Sequence, residues 1–214
     1  MGADKTPDTT VPSLDPEDWA AFRARAHAML DAAVDKMQGA RDGRVWTPVP
    51  EEMKTALRGP LPAEGRGAAA TDAQITALLP HGVGNTHPRF FGWVHGAGTP
   101  SNMVADIAAA AMNANLGGRD HGAMYIEKQV VDWVRRLFGF PENSSGLVVS
   151  GTSIATIIAL KSARDRALGF DVRKTGVQAG KLVGYTSDQS HSCVARAFDM
   201  LGLGADSLRR IPVT

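Results

Sequence analysis

Residues 147–168, LVVSGTSIATIIALKSARDRAL, join a short apolar run to a long helical pattern through a turn of small residues. The run at 147–149 is typical of a buried strand, and the apolar residues after the turn recur on one helix face. Such a junction leaves the first helix N–H groups unpaired, and with the helix dipole they form an anion site, most often for phosphate. Gly151 allows close backbone approach, and Thr152 and Ser153 add hydroxyl donors. Alternatively, Thr152 or Ser153 only caps the helix.

The composition is typical of a globular protein, with 43% hydrophobic and 21% charged residues in a chain of 214. The net charge is +1 and the Lys and Arg residues are scattered, so charge indicates neither a nucleic-acid nor a membrane partner. No apolar run approaches the roughly 18 residues of a membrane span. Cys193 is the only cysteine, which favours a reducing compartment and hence the cytoplasm. We predict no bound metal.

The N-terminal part of the chain predicts helices separated by loops. Residues 1–14 are polar and predict a flexible arm, and Asp15 followed by proline and acidic residues is typical of a helix start. The helix that follows has an apolar stripe from Trp19 to Met37, which must cover another surface. We expect that surface to belong to a second subunit. Shorter helices are predicted at residues 50–57 and from Thr71 to near Leu79, with a linker at 59–70.

The later part of the chain predicts an α/β sheet. Residues 81–100 form an aromatic, glycine-rich loop that lines a pocket or plugs a core, and helices are predicted at 99–115 and 125–138. Strands are then predicted at 147–149, 182–185 and 208–213, a surface loop at 171–180 and a helix at 193–201. Strands that alternate with helices predict a parallel sheet. Three strands leave that sheet unfinished, so we expect further polypeptide in the folded protein.

Polar turns follow two of the predicted strands, at residues 150–153 and 187–191. Because ligands of open α/β sheets lie at the carboxyl ends of the strands, both turns are expected to face one crevice. The first turn offers donors to a phosphate and the second offers His191, which together suit a phosphate-bearing cofactor with a flat ring beside the imidazole. The alternative for His191 is a polar histidine at a helix start. The glycine-rich motifs of nucleotide triphosphatases and dinucleotide sites are absent from the sequence.

A serine hydrolase is the alternative from a different enzyme class. Residues 151–155, GTSIA, differ at one position from the G-x-S-x-G nucleophile elbow, with Ser153 as the nucleophile. Asp188 and His191 follow in the required order, but they are only three residues apart. That spacing is too short for the acid to lie behind the imidazole.

Several motifs occur together in one order. They are HPRFFGW at 87–93, Glu127 and Trp133 in the amphipathic helix, SGTSIAT at 150–156 with Ala163 and Arg164, and YTSDQSHS at 185–192. Over about residues 15–214, this set resembles the group II pyridoxal-phosphate-dependent decarboxylases, the family of aromatic-L-amino-acid, histidine and glutamate decarboxylases. The resemblance implies a fold-type I, aspartate-aminotransferase-like α/β fold, pyridoxal 5′-phosphate as cofactor and an obligate homodimer. It also implies an arm and helical dimerisation segment at 1–85 and an incomplete part of the large cofactor-binding domain at 86–214.

The resemblance also implies roles for individual residues. It places the cofactor contacts at Gly151, Thr152, Ser153 and His191. His191 is then expected to stack on the pyridine ring and to help return a proton to the carbon that loses CO₂, while Trp93 and Gly96 line the substrate. The expected reaction converts an L-amino acid to an amine and CO₂. A related carbon–carbon lyase of the sphingosine-phosphate-lyase type and an inactive dimerisation module are further alternatives.

The sequence departs from the family pattern at a few positions. Ile154 stands where aromatic-acid relatives usually have an acidic residue and Asn85 where they have an aromatic one, which disfavours an aromatic substrate. None of the candidate lysines lies in a motif that matches the family's Schiff-base lysine; they are Lys128, Lys161, Lys174 and Lys181. We expect a second chain or a C-terminal portion to supply that lysine, and the chain alone to be inactive.

Overall fold

The computed structural model describes residues 13–92, 94–96, 98–115, 117–178 and 182–214. The chain divides into two compact units, Met1–Asn113 and Ala114–Thr214. None of the helices in the described ranges combines the length and the apolar character that crossing a membrane requires.

The first unit is helical in its described residues. Its helices are α1 at Trp19–Gln38, α2 at Glu51–Leu57, α3 at Ala68–Leu78 and α4 at Pro100–Met112. The cap of α1 is Asp18 rather than Asp15, because the Asp18 carboxylate accepts the N–H groups of Ala20 and Ala21 at 2.8 and 3.0 Å. The predicted cap Thr71 is also wrong, since α3 begins before it and its hydroxyl donates back to the Gly67 carbonyl.

The second unit alternates helices with two parallel strands. Its elements are α5 at Gly122–Leu137, α6 at Thr152–Leu168, α7 at Val172–Thr175, β1 at Gly184–Ser187, α8 at Cys193–Met200 and β2 at Leu208–Ile211. β1 and β2 pair in parallel, with Gly184 opposite Leu208 and Ser187 opposite Ile211. The crossover between them carries α8, as the alternating pattern predicts.

Two local predictions in this unit are wrong. Residues 147–149 form no strand, because the Val148 N–H donates to the Glu127 carboxylate at 2.8 Å and no strand in the described part of the chain lies beside them. The predicted loop at 171–180 contains α7, because both the hydroxyl and the N–H of Thr175 donate to the Asp171 carbonyl.

The buried core of the described residues lies in the second unit, around α8. Its apolar members are Val172, Cys193, Ala197, Phe198, Leu201 and Leu208. β1 packs directly on this helix, since a Cβ on Gly184 would lie 2.3 Å from the Phe198 ring. In the described part of the first unit only His87 is buried, and Trp19 on α1 stays 63% exposed.

Candidate functional site

The start of α6 presents a set of unpaired donors. The first helical bond runs from the Ala155 N–H to the Gly151 carbonyl at 3.1 Å. The N–H groups of Thr152, Ser153 and Ile154 precede that bond and have no hydrogen-bond partner among the described residues. No side chain caps the helix, which argues against capping as the role of the Thr152 and Ser153 hydroxyls. These groups lie at the positive end of the helix dipole and suit an anion with several oxygens.

The turn before α6 leaves room for such an anion. A Cβ placed on Gly151 would meet no atom within 4 Å, so open space lies beside the backbone at this point. Thr152 is exposed and Ser153 half-buried. The donors are therefore reachable from outside the unit.

His191 lies just before α8 and is exposed. Its Nδ1 accepts the N–H of Cys193 at 3.2 Å. A nitrogen that accepts a hydrogen bond carries no proton, so the neutral imidazole has its proton on Nε2. In the part of the chain that the structure describes, Nε2 has no partner.

The two helices that carry these residues run side by side in the same direction. Near their starts, Thr156 Oγ1 lies 3.8 Å from Cys193 Sγ. At their ends, Arg164 Nη1 on α6 donates to the Leu201 carbonyl after α8 at 3.1 Å. The structure therefore brings four of the predicted site residues to one end of the α6–α8 pair. They are Gly151, Thr152, Ser153 and His191.

A buried carboxylate near the opposite end of this pair joins α6 to α7. Asp165 on α6 is fully buried and accepts from Lys161, Arg164 and Arg173 at 2.5, 2.8 and 2.9 Å. These hydrogen bonds hold the pKa of Asp165 well below its usual range, and the bond from Lys161 has the largest effect. This cluster is not among the residues that the sequence pattern predicts. The Lys161–Asp165 spacing of four residues is the one signal for it, because the contribution of Arg173 depends on the turn into α7.

The predicted substrate residues belong to the first unit. Gly96 is exposed, and its carbonyl accepts the Asn85 side-chain N–H at 2.5 Å. Trp93 lies outside the described residues. A substrate role for both positions stays a prediction.

The geometry gives no support to the serine-hydrolase alternative. Within the described ranges, no hydrogen bond joins Ser153 to a histidine, and His191 Nδ1 is occupied by a backbone N–H. The Asp188 carboxylate accepts the Gln189 side-chain N–H at 3.2 Å instead of orienting the imidazole. A Ser–His–Asp triad requires both a Ser–His and a His–Asp hydrogen bond.

The second unit has a parallel α/β arrangement in which an unpaired helix start and a histidine lie at one end of a helix pair. This arrangement suits a ligand that carries a phosphate group. Residues 50–214 match the model of the pyridoxal-dependent decarboxylase conserved domain. The chain therefore belongs to the pyridoxal-dependent decarboxylase family, as the motif resemblance predicts.

Known proteins with similar sequences carry decarboxylase names. The chain is 36% identical over 129 residues to an aromatic-L-amino-acid decarboxylase of Bacillus atrophaeus, covering 58% of this chain and 25% of that protein. It is 28% identical over 211 residues to tyrosine decarboxylase 1 of Narcissus pseudonarcissus, covering 92% of this chain and 39% of that protein. The chain thus spans between a quarter and about two fifths of the length of these relatives.

Solved structures confirm the fold. Mouse CSAD is similar with a TM-score of 0.80 and 24% identity, over 92% of this chain and 42% of that chain. Oryza sativa TDC with PLP and tryptamine is similar with a TM-score of 0.73 and 22% identity, over 94% of this chain and 43% of that chain. The fold is that of part of a fold-type I pyridoxal-phosphate enzyme, so the predicted fold class is confirmed.

Proposed function

We propose that this protein is part of a carboxy-lyase that uses pyridoxal 5′-phosphate to convert an L-amino acid to an amine and CO₂. The observation that carries the proposal is the unpaired donor set at the start of α6, inside the matched decarboxylase domain. When bound, the cofactor supplies the electron-accepting ring that the loss of CO₂ requires. This chain contributes binding, orientation and a proton-carrying side chain.

The donors at the start of α6 fit the phosphate group of the cofactor. Gly151 leaves open space beside the turn, and Thr152 and Ser153 each offer a free N–H and a free hydroxyl among the described residues. In this proposal they hold the phosphate by several charge-assisted hydrogen bonds. His191 would lie against the ring and would help return a proton to the substrate carbon. Trp93 and Gly96 are proposed to line the substrate.

Further polypeptide is part of this proposal. The apolar face of α5 stays open, with Trp133 59% and Leu137 79% exposed, and the described part of the first unit buries no apolar side chain. Exposed apolar faces of this extent are typical of surfaces that a partner covers. We propose a homodimer in the cytoplasm, with residues 1–85 as arm and dimerisation segment and 86–214 as the first part of the cofactor domain. A second chain or C-terminal portion supplies the lysine.

The proposed phosphate contacts are tested by titrating the 214-residue chain with pyridoxal phosphate while recording its tryptophan fluorescence. The double variant Thr152→Val/Ser153→Ala loses two hydroxyl donors to an anion, so we expect its dissociation constant to rise at least tenfold. Ser162→Ala is the matched control, because its hydroxyl donates to the Ile158 carbonyl within the body of α6. Equal affinities of the double variant and the wild type contradict the proposed phosphate site.

The activity itself is tested by mixing the chain with a polypeptide that carries the family's cofactor lysine. Release of labelled CO₂ from carboxyl-labelled amino acids, together with the amine, is the expected result. A hydrolase with Ser153 as nucleophile instead cleaves an ester substrate without added pyridoxal phosphate, and Ser153→Ala abolishes that cleavage.

A further inference from the structure

Three hydrogen bonds, linked through the residues Thr156 and Cys193, connect the start of α6 with His191. Thr156 Oγ1 lies 2.8 Å from the Thr152 carbonyl oxygen and 3.8 Å from Cys193 Sγ. The N–H of Cys193 in turn donates to Nδ1 of His191 at 3.2 Å. This series of bonds begins at Thr152, a proposed phosphate contact, and ends at His191, the proposed ring contact.

The number of available hydrogens fixes the direction of each bond. The Thr156 hydroxyl has one hydrogen, which goes to the Thr152 carbonyl, because a carbonyl oxygen only accepts. Cys193 then donates its S–H to Thr156 Oγ1. Cys193 as a whole residue is 4% exposed, so water does not compete for this weak donor.

The packing around α8 confines the effect of the Thr156–Cys193 contact to the starts of the two helices. Ala197 and Phe198, one turn further along α8, are 0% and 4% exposed and fix that turn in the core. The first turn of α8 has only Cys193 buried and leads directly into the exposed His191. A change in the Thr156–Cys193 contact is therefore taken up where the two proposed cofactor contacts lie.

We propose that Thr156 and Cys193 are positioning residues that set the separation between the phosphate-binding turn and His191, so that one cofactor molecule contacts both. This proposal rests on the proposed function. Neither side chain needs to touch the cofactor. Their effect is confined to ligands that contact both the turn before α6 and His191.

The test compares two probes on the 214-residue chain. Inorganic phosphate, followed by ³¹P NMR, contacts the α6 turn alone, whereas pyridoxal phosphate, followed by fluorescence, contacts the turn and His191 together. Thr156→Val and, independently, Cys193→Ala remove the link between the helices. For both we expect about a fivefold weaker affinity for pyridoxal phosphate and a less than twofold change for inorganic phosphate.

Conservative variants and a control separate positioning from general stability. Thr156→Ser keeps the hydroxyl, and Cys193→Ser replaces the thiol by a hydroxyl that can make the same hydrogen bond. Both variants are therefore expected to retain wild-type affinity for pyridoxal phosphate. Thr175→Val removes the same kind of hydroxyl-to-carbonyl bond, from Thr175 to Asp171 on α7, away from the helix starts. It is expected to leave both affinities unchanged. Urea denaturation of every variant identifies those that are folded.

The outcomes distinguish a failure of the proposed function from a failure of the positioning role. A wild-type chain that does not bind pyridoxal phosphate overturns the proposed function and the positioning role with it. If the wild type binds and Thr156→Val and Cys193→Ala bind equally well, or lose affinity for both probes in parallel, the positioning role alone is overturned. The positioning role is supported if Thr156→Val and Cys193→Ala lose affinity for pyridoxal phosphate alone while Thr156→Ser and Cys193→Ser retain it.

Discussion

At the level of single residues, Asp165 forms ion pairs with more cationic side chains than any other carboxylate in the described part of the second unit. One carboxylate, fully buried, balances three cations from α6 and from the turn of α7. Because these partners lower the pKa of Asp165 in the folded state, its ionised form is favoured by folding. The stabilisation is present above the pKa of an unfolded aspartate and is lost as the pH falls toward the depressed folded value.

We expect Asp165→Asn to lower the urea midpoint at pH 7, since it leaves Lys161, Arg164 and Arg173 without their shared counter-charge. The difference from the wild type is expected to shrink as the pH falls below about 4, where the unfolded aspartate becomes protonated. Urea unfolding between pH 7 and pH 3 measures both effects. Asp171→Asn, an exposed carboxylate nearby, is the control and is expected to change the midpoint little. A difference that is independent of pH contradicts the argument.

Gly184 shows how a single residue limits the packing of β1 on α8. A methyl group at this position would lie 2.3 Å from the ring of Phe198, which is itself only 4% exposed. We expect Gly184→Ala to destabilise the fold by about 1–3 kcal/mol through overpacking. Chemical denaturation measures this value, and Phe198→Leu in the same chain is expected to recover part of it. Gly82→Ala, where no atom lies within 4 Å of the new Cβ, is the matched control.

At the level of elements, the segment before α6 depends on α5 for a backbone hydrogen bond. The Val148 N–H donates to Glu127 on α5 at 2.8 Å, where a strand residue would normally donate to a neighbouring strand. Glu127→Ala is expected to speed hydrogen exchange of the Val148 amide and to cost about 1 kcal/mol. Glu127→Gln keeps a carbonyl oxygen at this place and is expected to preserve most of the protection. Unchanged exchange at Val148 in the alanine variant contradicts this dependence.

The helices were predictable from the sequence because their signals are local. The helical period of apolar residues indicates where helices lie. Pro50 marks the start of α2 and Gly169 the end of α6, close to the observed bounds. The predicted strand at 147–149 is wrong, since a strand is defined by a partner that local sequence does not contain. The same limit applies to the site. The donors at Thr152 and Ser153 follow from a local turn, whereas the Thr156–Cys193 link depends on the packing of α6 against α8.

At the level of the whole molecule, an apolar helix face stays exposed in each unit, considered separately. On α1 the face borders a cleft of about 400 Å³, and Trp19 and Phe22 are 63% and 41% exposed. On α5 the face borders a cleft of about 250 Å³ lined mainly by valine, leucine and phenylalanine side chains. A stable monomer rarely leaves such faces open, so they support the proposed cover by further polypeptide.

The α1 face gives the proposed homodimer a direct test. A carboxylate in place of Phe22 must be desolvated if a second copy covers the cleft, so Phe22→Asp is expected to raise the dimer dissociation constant at least tenfold. Sedimentation velocity over a range of concentrations measures this change. Asp31→Ala is the control, because Asp31 lies nine positions along α1 and therefore on the opposite side of the helix. If Phe22→Asp and the wild type sediment alike at every concentration, α1 does not form the dimer contact, and the exposed face of α5 becomes the surface to test next.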